Sequence, residues 1–128
     1  WQPLFEIKDA HFICMQAGVT AEEVQMIKEN FGVNIISFSE IDLTEDLDDM
    51  AALCGSLDSV VTTMVALQWL AAAIGTPAWT IARGQRKSEW CMLGHEYYPW
   101  FPDLKVCLER SDDLLIQGFR RVAKEISM

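Results

Sequence analysis

The sequence predicts an α/β fold. Residues 1–128 read as a single Rossmann-like, doubly wound domain: a five-stranded parallel sheet in order 2-1-3-4-5 with helices on both faces. Three observations carry this reading. Apolar runs of strand length alternate with helical patterns from His11 to Ile126. Those runs are apolar on both faces, as buried parallel strands are. Gly18, Gly32, Gly75 and Pro77 interrupt the chain where one element must give way to the next. A length of 128 residues suits one domain with one core, and 51% hydrophobic residues argues against disorder. Right-handed crossovers between parallel strands then leave few topologies.

The run "HFICMQAG" (His11 to Gly18) is the first strand. Thr20 caps the next helix, with Glu22 and Glu23 in its first turn, where the helix dipole favours them. Val24, Ile27 and Phe31 form its apolar stripe, and Gly32 ends it. "VNIISFS" (Val33 to Ser39) is the second strand. Thr44 or Asp46 caps a helix whose apolar face is Leu47, Met50, Ala51, Leu53 and Cys54. The acidic run from Glu40 to Asp49 reads as the solvated start of that helix rather than a cation site.

"DSVVTT" (Asp58 to Thr63) is the third strand, and "VALQWLAAAIG" is a helix ended by Gly75 and Pro77. Trp69 shares that helix's stripe with Leu70, Ala73 and Ile74 and is expected to be core. "AWTIA" (Ala78 to Ala82) is the fourth strand. A loop rich in charge and aromatics runs from Arg83 to Pro102, and "LKVCLE" (Leu104 to Glu109) is the fifth strand. Asp112 caps a last helix carrying Leu115, Phe119, Val122 and Ile126.

The stretch from Ser59 to Ala82 contains no charge and is long enough to cross a bilayer. It also contains four threonines, Gln68 and the breaker Gly75-Thr76-Pro77. Cut at the breaker it becomes strand, helix, strand, so no membrane insertion is expected. A net charge of −9 disfavours nucleic acid and anionic membranes as partners. Cys14, Cys54, Cys91 and Cys107 are widely spaced, which fits reduced cysteines in a cytoplasmic protein. Cys91 and His95 are four apart but make only two ligands, so neither a metal nor another cofactor is expected. The chain opens Trp1-Gln2-Pro3 without an initiator Met, as a domain of a longer protein does.

In open parallel sheets, ligands lie at the carboxyl ends of the strands where the strand order reverses. In the expected topology that crevice falls between strands 1 and 3, at Gln16 to Thr20 and Thr63 to Ala66. The loop from Arg83 to Trp90 flanks it. Thr62 and Thr63 precede a helix whose free amides and dipole favour an anion. Arg83, Arg86 and Lys87 are cations close together in an acidic chain, and phosphate suits such a pairing. An ordinary helix start beside a solvated basic loop fits the same residues. No GxSxG, P-loop or GxGxxG motif occurs, and strand 3 ends Thr62-Thr63-Met64 rather than in the aspartate of a receiver domain.

Three segments carry a resemblance: "FICMQAG", "DLDDMAALCGSLDSVVTTMVALQWLAAAIGTPAW" and "EWCMLGHEYYPWFPDLKVCLE". Together they resemble the C-terminal, donor-binding half of GT-B glycosyltransferases. The similarity is to the heptosyltransferase-related domains of tetratricopeptide-repeat proteins, and more distantly to O-linked N-acetylglucosamine transferases. It covers Phe12 to Lys124 and implies that this half binds a nucleotide diphosphate-sugar. The family's Asp-Thr turn falls on Met64 and Val65, and its helix histidine on Trp69, so all three are lost. Its tryptophan-arginine motif survives as Trp90, with Glu89 in place of the arginine, while Gln16 matches the family's glutamine.

Strand-end position and charge (Thr62, Thr63, Arg83, Arg86, Lys87) and the resemblance (Gln16, Met64, Trp90) together lead to expected substrate binding at these residues, with no catalytic residue in this chain. The expected function is nucleotide diphosphate-sugar binding by a domain that is inactive alone. It would work with an N-terminal domain or repeat array of the same protein. The alternative is a degenerate pseudo-glycosyltransferase kept as a protein interaction or scaffolding module.

Overall fold

The computed structural model describes residues 1–83, 92–109 and 112–128, apart from the side chains of Arg83, Asp112 and Asp113. Its helices are α1 (Gln2–Phe5), α2 (Ala21–Phe31), α3 (Leu47–Gly55), α4 (Ala66–Ile74) and α5 (Asp112–Ile126). Its strands are β1 (Phe12–Ile13), β2 (Ile35–Ile36), β3 (Val60–Thr62), β4 (Ala78–Arg83), β5 (Tyr97–Tyr98) and β6 (Phe101–Glu109).

The expected single five-stranded, all-parallel Rossmann-like sheet in order 2-1-3-4-5 is not what forms. The described residues make two sheets: a parallel pair β1-β2, and a four-stranded mixed sheet in order β3-β4-β6-β5. β3, β4 and β6 run parallel, while β5 lies antiparallel on β6 at the edge. Two physical reasons account for the difference. First, only Phe12 and Ile13 of the first apolar run enter a ladder, opposite Ile35 and Ile36. β1 is tied to the larger sheet by side chains instead. Phe12 packs on the cluster that Val61 joins, and Met15 on the cluster that holds Val60. Second, the loop expected after the fourth strand contains a hairpin. Tyr98 pairs with Phe101 across Pro99-Trp100, and aromatic residues favour such a ladder.

Side chains alternate across β3, β4 and β6, so the larger sheet is covered on both faces. On one face Val60, Ala78, Leu104 and Val106 pack with Cys54 of α3 and Ala71 of α4. On the other, Ile81 and Cys107 pack with Leu4 of α1 and with Val122 and Ala123 of α5. Polar contacts reinforce the α4 face. The Thr80 hydroxyl donates to Gln68 Oε1 at 2.7 Å, and the Thr76 hydroxyl donates to the Cys54 carbonyl at 3.1 Å, both buried.

Local signals set most helix ends. Thr20 forms a full capping box: its hydroxyl accepts from the Glu23 amide, and the Glu23 carboxylate accepts from the Thr20 amide. Asp46, not Thr44, caps α3, accepting from the Asp49 amide at 2.9 Å. Gly32 and Gly75 close α2 and α4 with φ of 69° and 82°, a left-handed conformation that glycine adopts without strain. Trp69 departs from expectation. It is 39% exposed, with its ring 4.7 Å from Tyr98 and 6.2 Å from Phe101. It therefore packs on the β5–β6 hairpin at the sheet edge, not in the core.

A charged clasp holds α5 on its face. The Glu125 carboxylate accepts from Lys105 Nζ at 2.8 Å, Trp79 Nε1 at 3.1 Å and Arg121 Nε at 3.3 Å. Arg121 also forks onto Glu96, and Lys105 Nζ lies 5.4 Å over the Trp79 ring. These donors, Lys105 first and Trp79 next, draw the Glu125 carboxyl from an ordinary 4.5 down to about 2. A carboxyl depressed on folding adds stability above its unfolded value, and that stability is lost as pH falls through the folded one. The stability gap between wild type and Glu125→Gln should be full above pH 4.5 and close toward pH 2 in urea melts. A gap that does not change with pH would show that the carboxylate charge contributes nothing.

The cysteines supply a second prediction. Cys14, Cys54 and Cys107 are free thiols. Cys14 is half-buried, whereas Cys54 and Cys107 are 0% and 6% exposed. Burial pushes both core thiols up, Cys107 further helped by the Glu109 charge. Native-state alkylation followed by peptide mass should label Cys14 well before Cys54 and Cys107. Equal labelling of Cys54 and Cys14 would contradict the packing described.

Candidate functional site

Two positions at the carboxyl ends of the strands have the geometry of a site. The first is a cleft of about 390 Å³, which falls within the size range of ligand sites. One wall is the loop leaving β1, with Cys14, Gln16, Ala17, Gly18 and Val19; the other leaves β2 and includes Ser37, Phe38, Ile41, Asp42, Leu43 and Thr44. Gly18 turns the first wall back toward α2 at φ 74°, where a side chain would be strained.

Carboxylates give the cleft its charge. Asp42 accepts from the Thr44 hydroxyl at 2.6 Å, the Thr44 amide at 2.8 Å and the Glu45 amide at 3.1 Å. These bonds, the hydroxyl's first, hold its carboxyl below the usual range. Glu40 is lowered by its own backbone amide and by the Ser39 hydroxyl. The described lining contains no lysine or arginine. Its walls mix apolar side chains with Gln16, Ser37, Ser39 and Thr44, and the ionised residue in the lining is Asp42.

The second position is the start of α4, at the end of β3. Thr62 is buried, while Thr63, Met64 and Val65 are exposed. The N-cap residue Val65 supplies no side-chain cap, and the first turn has no acidic residue. By contrast, α2 and α3 each have a side-chain cap and two acids in the first turn. The Val65 and Gln68 amides donate to the Thr63 and Val65 carbonyls, so the start of α4 offers a positive dipole end with no side-chain acceptor at the cap.

The predicted site residues divide between these positions. Gln16 lines the cleft and is exposed; Thr62, Thr63 and Met64 mark the start of α4. The structure does not bring the two groups into one lining. The expected crevice between strands 1 and 3 required β1 to be a ladder neighbour of β3, and its ladder partner is β2. Arg83 ends β4 opposite Glu109 of β6. Arg86, Lys87, Glu89 and Trp90 lie outside the described residues, as does Cys91. The wall from Phe38 to Thr44 was missed in the sequence, where it reads as a strand tail and a solvated helix start. Ile41 and Leu43, set between the acids of that run, were the available signal of an apolar wall.

Among the described residues no group of three or more His, Cys, Asp or Glu could hold a metal ion. No described helix is long and apolar enough to cross a membrane.

No family model and no solved structure matches this chain. Protein FlbA of Caulobacter vibrioides is 40% identical to it over 105 residues, which cover 82% of this chain. The matched region makes up 17% of FlbA, so the chain is similar to one segment of a much longer protein.

Proposed function

We propose that the chain is a glycosyltransferase-like domain that binds a nucleotide diphosphate-sugar and is inactive alone, within a longer cytoplasmic protein. The observation that carries this reading is the bare start of α4, set at the end of β3. Such a terminus presents amides and a dipole to an anion, at the edge of the sheet where ligands of open α/β folds bind. Met64 and Val65 replace the family's Asp-Thr turn, so the diphosphate would meet backbone amides and the cations Arg83, Arg86 and Lys87. Trp69 stands in the place of the family's histidine and is packed on Tyr98, where it offers no titrating group. Turnover would need a base from another part of the protein. The free thiols Cys14, Cys54 and Cys107 fit a reducing compartment.

The second reading is a pseudo-glycosyltransferase that serves as an interaction module. It is favoured by Met26, Phe31, Ile36 and Phe38, large apolar side chains 37–53% exposed on and beside α2 and β2.

Calorimetric titration with the diphosphates of uridine, guanosine and adenosine separates the two readings. Binding through amides and a few cations should be weak and should fade with salt, each charge-assisted bond contributing roughly 1.5–3 kcal/mol. Replacing Arg83, Arg86 and Lys87 together by Ala should abolish it without unfolding the domain. No heat with any of the three nucleotides would leave the interaction module. Equal affinity in the triple variant would move the site away from those cations.

A further inference from the structure

The charge of this chain is distributed unevenly. Between Gln16 and Asp49, nine carboxylates face the single Lys28, which leaves −8 of the chain's net −9 in that one segment. The same segment builds the cleft: its walls leave β1 and β2, and they run directly into the N-termini of α2 and α3. Glu22, Glu23, Asp48 and Asp49 occupy the first turns of those two helices. The rest of the chain is close to neutral. The acid therefore lies in the segment that builds this cavity, whose walls combine Val19, Phe38, Ile41 and Leu43 with Asp42 and uncharged polar side chains.

We propose that this cleft docks a basic amphipathic segment of a protein partner, with its apolar side chains between Phe38 and Val19 and its Lys or Arg residues on the Glu40–Asp42 rim. Charge complementarity selects the occupant. A phosphate group would meet the Asp42 carboxylate and no lysine or arginine in the described lining, and like-charge contact opposes binding. A bare cation is poorly served by aliphatic and aromatic walls, and the described residues contain no metal-ligand grouping. A segment that is both apolar and cationic satisfies walls and rim together, as amphipathic segments do in apolar grooves. Phe38, 37% exposed, supplies an aromatic anchor. The field of the whole segment would speed encounter and make it sensitive to salt. This inference rests on the interaction reading and is independent of diphosphate binding at α4.

The test is a titration of the isotope-labelled chain with a short synthetic peptide of leucine and lysine at helical spacing, followed by amide chemical shifts. A leucine–glutamate peptide of the same pattern serves as the control. Shifts should concentrate in residues 16–19 and 37–44, and binding should weaken about tenfold between low and physiological salt. The double substitution Phe38→Ser with Asp42→Asn should weaken binding at least several-fold and leave distant amides unchanged, since both side chains are exposed. Shifts confined to other surfaces would overturn the cleft assignment and leave an interaction module standing. No shifts with either peptide would remove the docking proposal. Equal binding of the glutamate peptide would show that charge does not select the occupant. Shifts in the cleft produced by uridine diphosphate, and not by the lysine peptide, would return the cleft to donor binding.

Discussion

Close contact between α4 and β4 is the constraint on which the arrangement depends. Ala71 on the helix and Ala78 on the strand are both fully buried, and neither side chain extends beyond a methyl group. Small residues on the facing surfaces let a helix approach a sheet closely, and the packing leaves little room for larger ones. The buried Thr80–Gln68 bond then sets the position of the helix along the strand, and Thr76 ties its far end to α3. Once α4 is seated, its uncapped start has to emerge at the end of β3. The uncapped start of α4 at the end of β3 is a consequence of core packing, not a separate feature. On the opposite face, the Glu125 clasp and the Val122–Ile81 contacts do the same for α5.

The N-terminal β1–α2–β2 unit is held much less firmly. α2 has no buried residue, and β1 and β2 contribute two residues each to their ladder. Its attachment runs through aromatic rings: Phe5 meets Phe12 at 5.5 Å and Phe31 at 5.4 Å. A rigid three-layer body thus carries a lighter unit whose two loops form the cleft. Binding surfaces tend to be drawn from the less stable parts of a fold, because ordering them can be coupled to a partner. The half-exposed apolar residues of this unit have the same character.

The sequence was legible where the chemistry is local. Thr20, Gly32, Asp46 and Gly75 act within one turn of themselves, so their spacing alone marks helix ends. The alternation of strand and helix was legible for the same reason. Partner choice was legible for β1–β2, β3–β4 and β4–β6, but not for β1 and β3. An apolar run such as "HFICM" reports burial, but burial by Phe12 and Met15 can be met through side-chain packing without a ladder to β3. Trp69 shows the same limit. The sheet-facing side of its helix is Gln68 and Ala71, so Trp69, Ala73 and Ile74 lie on the outer side, and Trp69 finds only the edge hairpin at Tyr98. The cleft was hidden because the segment bearing Ile41 and Leu43 is dominated by acids, and composition there points to solvent. Of the predicted site residues, Thr62 closes β3 as a strand residue, Thr63 lies just past it, and Gln16, expected in the first strand run, lies beyond β1. Their separation follows from the missing ladder between β1 and β3, since the expected β1–β2 pairing does form.

Native-state hydrogen exchange tests the central claim, a firm β3–β4–β6 body carrying a lightly held β1–α2–β2 unit. Amides in Val60–Thr62, Ala78–Ala82 and Leu104–Leu108 should exchange only through global unfolding, whereas those of Ala21–Phe31 and Ile35–Ile36 should exchange earlier, through local opening. Equal protection across both units would contradict the account, because α2 would then share the cooperative core.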